Sequence, residues 1–234
     1  MLRSWKVMFH TIKRLVAYMP IRWQQGLKRK YYAYKIFQGR FNADEPEYQH
    51  LESFISKGDW VLDIGANIGH YTLKFSSLVG ENGRVFAIEP VPETFELLAA
   101  NVQRLSFKNV TLLNVAASDH PSIISMEIPF FDTGLRNYFM ASISENKTGI
   151  DVYGISIDSL SFFKQIQMVK IDVEGHELKV LQGMVQLLQR DRPILIIETD
   201  SQQVFEFLKK FGYDMNKYPN SPNYMFRHSA TSAE

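Results

Sequence analysis

The stretch Trp60-Val61-Leu62-Asp63-Ile64-Gly65-Ala66-Asn67-Ile68-Gly69 constrains this chain more than any other segment. A short apolar run, of the length of one buried strand, leads into two glycines, and a helical pattern continues from Ile68 to Val79. A backbone that leaves a strand and enters a helix within a few residues needs glycine. Only glycine adopts the required angles and lets a ligand approach the chain closely. Free N–H groups at the helix start would suit a carboxylate or phosphate. The next apolar run, Arg84–Glu89, ends on a carboxylate twenty residues past Gly69, placed to accept both hydroxyls of a ribose.

Two ligand classes share this layout. A dinucleotide turn needs glycine at three positions, which fall here on Asp63, Gly65 and Ile68. Two of the three are wrong, and Asp63 would repel a pyrophosphate. S-adenosylmethionine instead carries an ammonium and a sulfonium, and Asp63 favours both. A glycine turn with no ligand is the plain structural alternative. The leading reading assigns Asp63, Gly65, Ala66, Asn67, Gly69 and Glu89 to S-adenosyl-L-methionine. After the third strand, Asn114-Val115-Ala116-Ala117-Ser118-Asp119 offers small residues against which an adenine could lie. Ala117 and Asp119 are assigned to that contact, with an ordinary strand-end turn as the alternative.

Around this turn the chain alternates strands and helices. Strands are expected at Trp60–Ile64, Arg84–Glu89, Asn109–Val115, Met168–Val173 and Pro193–Glu198. Helices are expected at Asp44–Lys57, Ile68–Val79, Pro92–Leu105, Glu177–Gln189 and Val204–Phe211. Tyr213–Tyr218 and Tyr224–His228 read as a closing antiparallel pair. This order implies an α/β fold, a mostly parallel seven-stranded sheet with helices on both faces, whose ligands lie beyond the carboxyl ends of the strands. Residues 120–157 break the rhythm with an extra strand pair, Ile123–Ile128 and Ile150–Ile155. The aromatic loop between them carries Phe130, Phe131, Tyr138 and Phe139, as a lid or binding loop would.

The phrases VLDIGANIGHYT, VFAIEP, NVAASD, SIDSL, VKIDVEGHELKVLQG and RPILIIE together resemble the FkbM family of methyltransferases, over about Asp44 to Glu198. The aspartate–glycine turn alone indicates only the wider class I methyltransferases; IDVEGHE with SIDSL ahead of it narrows the resemblance. It implies a Rossmann-like fold, S-adenosylmethionine as donor, and acceptor hydroxyls on sugars, glycolipids or secondary metabolites.

An alcohol must lose its proton to attack the methyl group, so a base or a metal is needed. Asp172 and Glu174 close the fourth strand, Glu198 and Asp200 the fifth, and His176 and Glu177 start the next helix. Asp172, Glu174, His176 and Glu198 are the catalytic candidates, and Asp172 also borders the expected position of the cofactor methionine. The structural alternatives are a helix-start role for Glu177 and a solvated imidazole for His176. These oxygens would also accept Mg²⁺ or Ca²⁺; no metal ligand is assigned. An Asn/Asp-Pro-Pro-aromatic motif, usual where base amines are methylated, is replaced by Asp172-Val173-Glu174-Gly175. That favours O-methylation of a small-molecule or glycan hydroxyl.

Charge divides the chain. Residues 1–40 hold ten Lys/Arg and no Asp or Glu, leaving 16 basic against 25 acidic residues in the remainder. Leu2, Trp5, Phe9, Ile12, Val16 and Met19 form one helical stripe closed by Pro20. Residues 1–43 thus read as a basic amphipathic helical extension, and 44–234 as the methyltransferase domain. The extension is a lid, a peripheral contact with an anionic membrane through residues 1–40, or a nucleic-acid arm. With no cysteine, no apolar run near ~18 residues and no signal-peptide centre, a cytoplasmic protein, peripheral on a membrane if attached at all, is expected. Two functional alternatives stay open, an RNA methyltransferase recruited by the basic segment and a non-catalytic cofactor-binding module.

Overall fold

A computed structural model describes residues 14–144, 146 and 149–231. Most of the stripe from Leu2 to Met19, with Trp5 and Phe9, lies outside the described residues; 14–17 are helical and end before Pro20. Helix α1 (Ile21–Phe37) follows. A seven-stranded sheet then contains β1 (Trp60–Ile64), β2 (Arg84–Ile88), β3 (Val110–Leu113), β8 (Ile166–Ile171), β9 (Ile194–Glu198), β10 (Tyr213–Lys217) and β11 (Asn223–His228). Its order is β10-β11-β9-β8-β1-β2-β3, parallel except at β11, which runs against both of its neighbours. The connecting helices are α2 (His70–Val79), α3 (Pro92–Val102), α4 (Glu177–Gln182), α5 (Val185–Asp191) and α6 (Gln202–Lys210).

The inner strands β1, β8 and β9 are largely apolar because both sheet faces are covered there. Leu62, Ile64, Val169, Ile171, Leu195 and Ile197 fill one side. Val61, Met168 and Ile196 meet Phe75 and Val79 of α2 on the other. The chain runs outward from β1 through β2 to β3, then returns to place β8 on the opposite side of β1. A crevice opens where strand order reverses, above the ends of β1 and β8.

The segment between β3 and β8 builds a second sheet, ordered β4-β7-β5-β6, from β4 (Ala116–Ala117), β5 (Ser122–Glu127), β6 (Ser142–Ile143) and β7 (Ile150–Ile155). The expected pair is present as β5 and β7, antiparallel from Ser122↔Gly154 to Met126↔Ile150.

Three elements depart from the periodicity. The third strand does not run to Val115. The Asn114 side chain donates to the carbonyls of Glu89 (2.8 Å) and Pro90 (3.0 Å), ending the ladder and sending Ala116 to the other sheet. The helix expected over Asp44–Lys57 is a 3₁₀ helix, Pro46–Ser53, whose three-residue turn brings Tyr48 and Leu51 onto one buried face. The helix expected over Glu177–Gln189 is two. They meet at Gly183, where a Cβ would stand 1.9 Å from the Ser118 carbonyl oxygen, so only glycine fits. Asp158, from the SIDSL phrase, then caps α5 by accepting the N–H groups of Gln186 (2.8 Å) and Leu187 (3.0 Å).

Candidate active site

The glycine turn is held by the strands beside it. The N–H groups of Gly65 and Ala66 both donate to the Ile88 carbonyl at 2.9 Å. Gly65 has φ +79°, and a Cβ there would lie 1.8 Å from the Asp172 carbonyl oxygen. The end of β8 therefore passes directly over the turn. Gly69 has φ +95°, with Leu98 against the position of its missing side chain. Asn67 adopts φ +49° and donates its N–H to Glu89 Oε2 at 2.9 Å, while its own Oδ1 accepts from the Ile68 N–H. The Gly69 N–H donates to the Ala66 carbonyl. Five successive N–H groups, Gly65 to Gly69, are thus engaged, because the tight turn uses them itself. What the turn leaves available is acceptor oxygen, which suits an ammonium better than a phosphate.

A cleft opens above it. Gly65, Asn67 and Glu89 form one side, Ala116 and Ala117 a second, and Asp172, Glu174 and His176 the rim; Met126, Tyr138, Phe139 and Ile143 of the inserted segment close it. Glu89 is buried, its other oxygen accepting the Val91 N–H at 2.9 Å. Burial pushes its carboxyl up to about 7 against the two N–H bonds that hold it down.

Asp63, Ala66 and Gly69 do not reach the cleft wall. Asp63 lies one layer below, hydrogen-bonded by the Thr72 hydroxyl, and burial pushes it up to about 6. Asp119 faces a neighbouring hollow, where it binds Lys179 Nζ (2.7 Å), His120 Nδ1 (2.8 Å) and the Ser118 hydroxyl (3.1 Å). Burial opposes its ionisation, yet these three bonds bring it down to about 2. His176 places Nε2 3.0 Å from Ser118 Oγ, and burial lowers its pKa, favouring a neutral ring.

At the end of β8, Asp172 and Glu174 border a second concavity with Glu177, Glu198 and Asp200. Glu174 is a non-glycine residue at φ +49°, raised by burial and then by Asp172 and Glu177. Burial and the charge of Asp172 push Glu198 up to about 7. Glu177 is turned inward, accepting the Gly175 N–H at 2.8 Å, so it braces the bend.

The strand periodicity hid one component. Lys170 is 2% exposed on the central strand, with Nζ 2.9 Å from Asn223 Oδ1, 3.4 Å from Asp172 Oδ2, and above the Tyr71 ring. Asn223 donates onward to Glu47, which also takes the Tyr71 hydroxyl. A lysine inside the apolar run MVKIDV was the visible signal. Glu47 and Asn223 had none, since they arrive from distant segments. Among the described residues, no group of three or more His, Asp or Glu has the geometry to hold a metal ion.

Residues 63–215, well over half of the chain, match the methyltransferase FkbM domain. The chain belongs to the FkbM methyltransferase family. The family named by the motifs is therefore the family found, and its methyl donor is S-adenosylmethionine. Among curated relatives, the hexuronic acid methyltransferase AglP of Haloferax volcanii is 30% identical over 131 residues, 56% of this chain and 52% of that protein. A protein-L-isoaspartate O-methyltransferase of Methanococcoides burtonii is 35% identical over 60 residues, 26% of this chain and 30% of that one. This FkbM chain thus spans about half the length, or less, of these relatives. Among solved structures, the FkbM methyltransferase of Methylobacillus flagellatus superposes with TM-score 0.56 at 20% identity, covering 79% of this chain and 50% of that one. A Clostridium thermocellum protein described as a putative rRNA-methylase gives TM-score 0.51 at 17% identity, covering 77% and 93%. At these identities the likeness is one of fold, the Rossmann-like class I methyltransferase sheet. The cleft's chemistry fits the family's donor: Glu89, Asp172 and Glu174 line a wall with no cation among its lining residues, and Lys170 stands behind it.

Proposed function

We propose that this FkbM methyltransferase O-methylates a neutral sugar-type hydroxyl. One observation carries the reading: Asp172 and Glu174 border both the cleft that contains Glu89 and the acidic concavity that contains Glu198. A donor in the first would meet an acceptor in the second across the end of β8.

Glu89 would accept the ribose hydroxyls, Ala116 and Ala117 would face the adenine, and Gly65 and Asp172 would face the methionyl end. Bound there, S-adenosylmethionine supplies an electrophilic methyl group on a positively charged sulfur. The chain's own residues hold the acceptor, exclude water and take its proton. Glu198 is assigned as the base, because a carboxyl near 7 is matched to proton transfer at neutral pH. His176, kept neutral by burial and tethered to Ser118, orients the opposite rim.

The name of the Haloferax volcanii relative supports a sugar as acceptor. The wall here favours an uncharged one, since Asp172, Glu174, Glu198 and Asp200 face a single Lys217. Purified protein incubated with labelled donor and paired neutral and uronic sugars, free and lipid-linked, should label the neutral members. Labelling confined to uronic acids would sink the choice of acceptor, and labelling of RNA alone would sink the sugar reading.

The base assignment makes a separate prediction with a fixed sign. Glu198 must be ionised to accept a proton, and its pKa is raised, so kcat/KM should fall as pH drops through about 7. Glu198→Gln should lower kcat by about 10²–10⁴ and flatten that limb. A limb that survives in Glu198→Gln but disappears in His176→Gln would transfer the role to His176.

A further inference from the structure

Among the described residues, the exposed face of α1 has no partner, and it has a composition of its own. Trp23, Leu27, Tyr31, Tyr34 and Phe37 follow one another at steps of four, four, three and three along the helix. That spacing is one continuous stripe. All five are exposed, Trp23 at 65% and Phe37 at 90%. The opposite side holds α1 to the body: Gln25 is buried, Tyr32 and Ile36 pack with Phe41 and Leu97, and Arg29 binds Glu96 at 3.0 Å. The stripe therefore points directly away from the protein.

Lys30 lies on the stripe and Lys35 on its flank, with no Asp or Glu anywhere in α1. Tryptophan and tyrosine each join an apolar ring to a polar tip. A dry protein interface would have to satisfy those tips, whereas a headgroup layer wets them while the rings enter the acyl boundary. Pairing with a second copy of α1 would oppose like charges. No helix among the described residues is long and apolar enough to cross a membrane, so any bilayer contact through α1 would be with its surface. We propose that the Trp23–Phe37 face of α1 is a docking surface for an anionic lipid bilayer. It lies beside the reaction cleft: Lys28 on the same helix sits 4.5 Å above the ring of Tyr138, which lines that cleft. The docking proposal does not depend on which acceptor is methylated.

Flotation of the full chain with two vesicle types tests it, one of phosphatidylcholine alone and one of phosphatidylcholine with phosphatidylglycerol. The protein should float with the anionic vesicles only, and its tryptophan emission should shift to the blue. Trp23→Phe should keep binding and lose most of that shift. Replacing Trp23, Tyr34 and Phe37 together by serine should weaken binding at least about tenfold. Neutralising Lys30 and Lys35 to glutamine should weaken it about fivefold per charge. All three residues of the serine variant are exposed, so its unfolding transition should match that of the parent. If it does not, the Trp23→Phe emission test stands alone. Three results would overturn the proposal: no flotation of the parent, equal flotation of the stripe variants, or an emission shift unchanged in Trp23→Phe. So would a parent dimer dissolved by the serine variant, or binding to RNA in place of vesicles.

Discussion

Gly65→Ala is expected to destroy donor binding and much of the stability of the domain. At φ +79° an alanine is strained by about 1–2 kcal/mol, and its Cβ would stand 1.8 Å from the carbonyl oxygen of Asp172. That oxygen is backbone at the end of a central strand and cannot rotate away. The turn and the end of β8 must separate, raising the total loss to about 3–5 kcal/mol, a large share of a typical domain's stability. Separation also opens the junction at which cleft and acidic concavity meet, so S-adenosylmethionine affinity should fall at least about 100-fold. Gly175→Ala isolates the strain component. Gly175 has φ +94° and nothing within 4 Å of its missing Cβ, so its cost should be about 1–2 kcal/mol. Urea unfolding and titration calorimetry on the two variants would check this. Equal stabilities, with donor binding intact in Gly65→Ala, would refute the close approach of β8 to the turn.

Lys170→Met should be nearly as damaging, through charge rather than shape. The methionine fills similar volume but leaves Asp172, Glu47 and Asn223 facing one another without their buried cation. Removing one partner of such an arrangement costs about 3–5 kcal/mol. Lys170 also restrains the upward shift of Glu198, so its loss should move the acid limb of kcat/KM above 7. A purely structural role would not move that limb. Adding Glu47→Gln removes one uncompensated carboxylate and should recover part of the stability, seen as a higher unfolding midpoint. No recovery, with an unmoved pH profile, would mean that the lysine merely fills space.

Both variants act at points of unequal visibility in the sequence. Gly65 is legible because a strand-to-helix reversal has few backbone solutions, and each leaves glycine at set positions. The parallel strands were legible for a related reason: strands covered on both faces read as largely apolar runs, whereas the edge strand β10, exposed over most of its length, showed only as half of a closing pair. Glu89 was legible from its place at the end of the second strand. The second sheet was half visible. Ile123–Ile128 and Ile150–Ile155 showed as a pair, but β4 and β6 are two residues each, too short for any periodicity. The break at Gly183 was invisible, because what the glycine accommodates there is the Ser118 backbone, more than sixty residues away in sequence.

The sequence by itself determined the fold class, the family and the donor. These rest on local backbone requirements and on apolar period, which neighbouring residues specify. The tertiary structure decided which carboxylates face the cleft. It set Asp63 beneath the turn and Asp119 in a separate hollow, and it brought Lys170, Asn223 and Glu47 together from three distant segments. The reason is physical: ionisation and contact depend on burial and on charges within a few ångströms, and folding alone fixes those distances. The same holds for α1, whose aromatic stripe means something only because the opposite face is the one that packs.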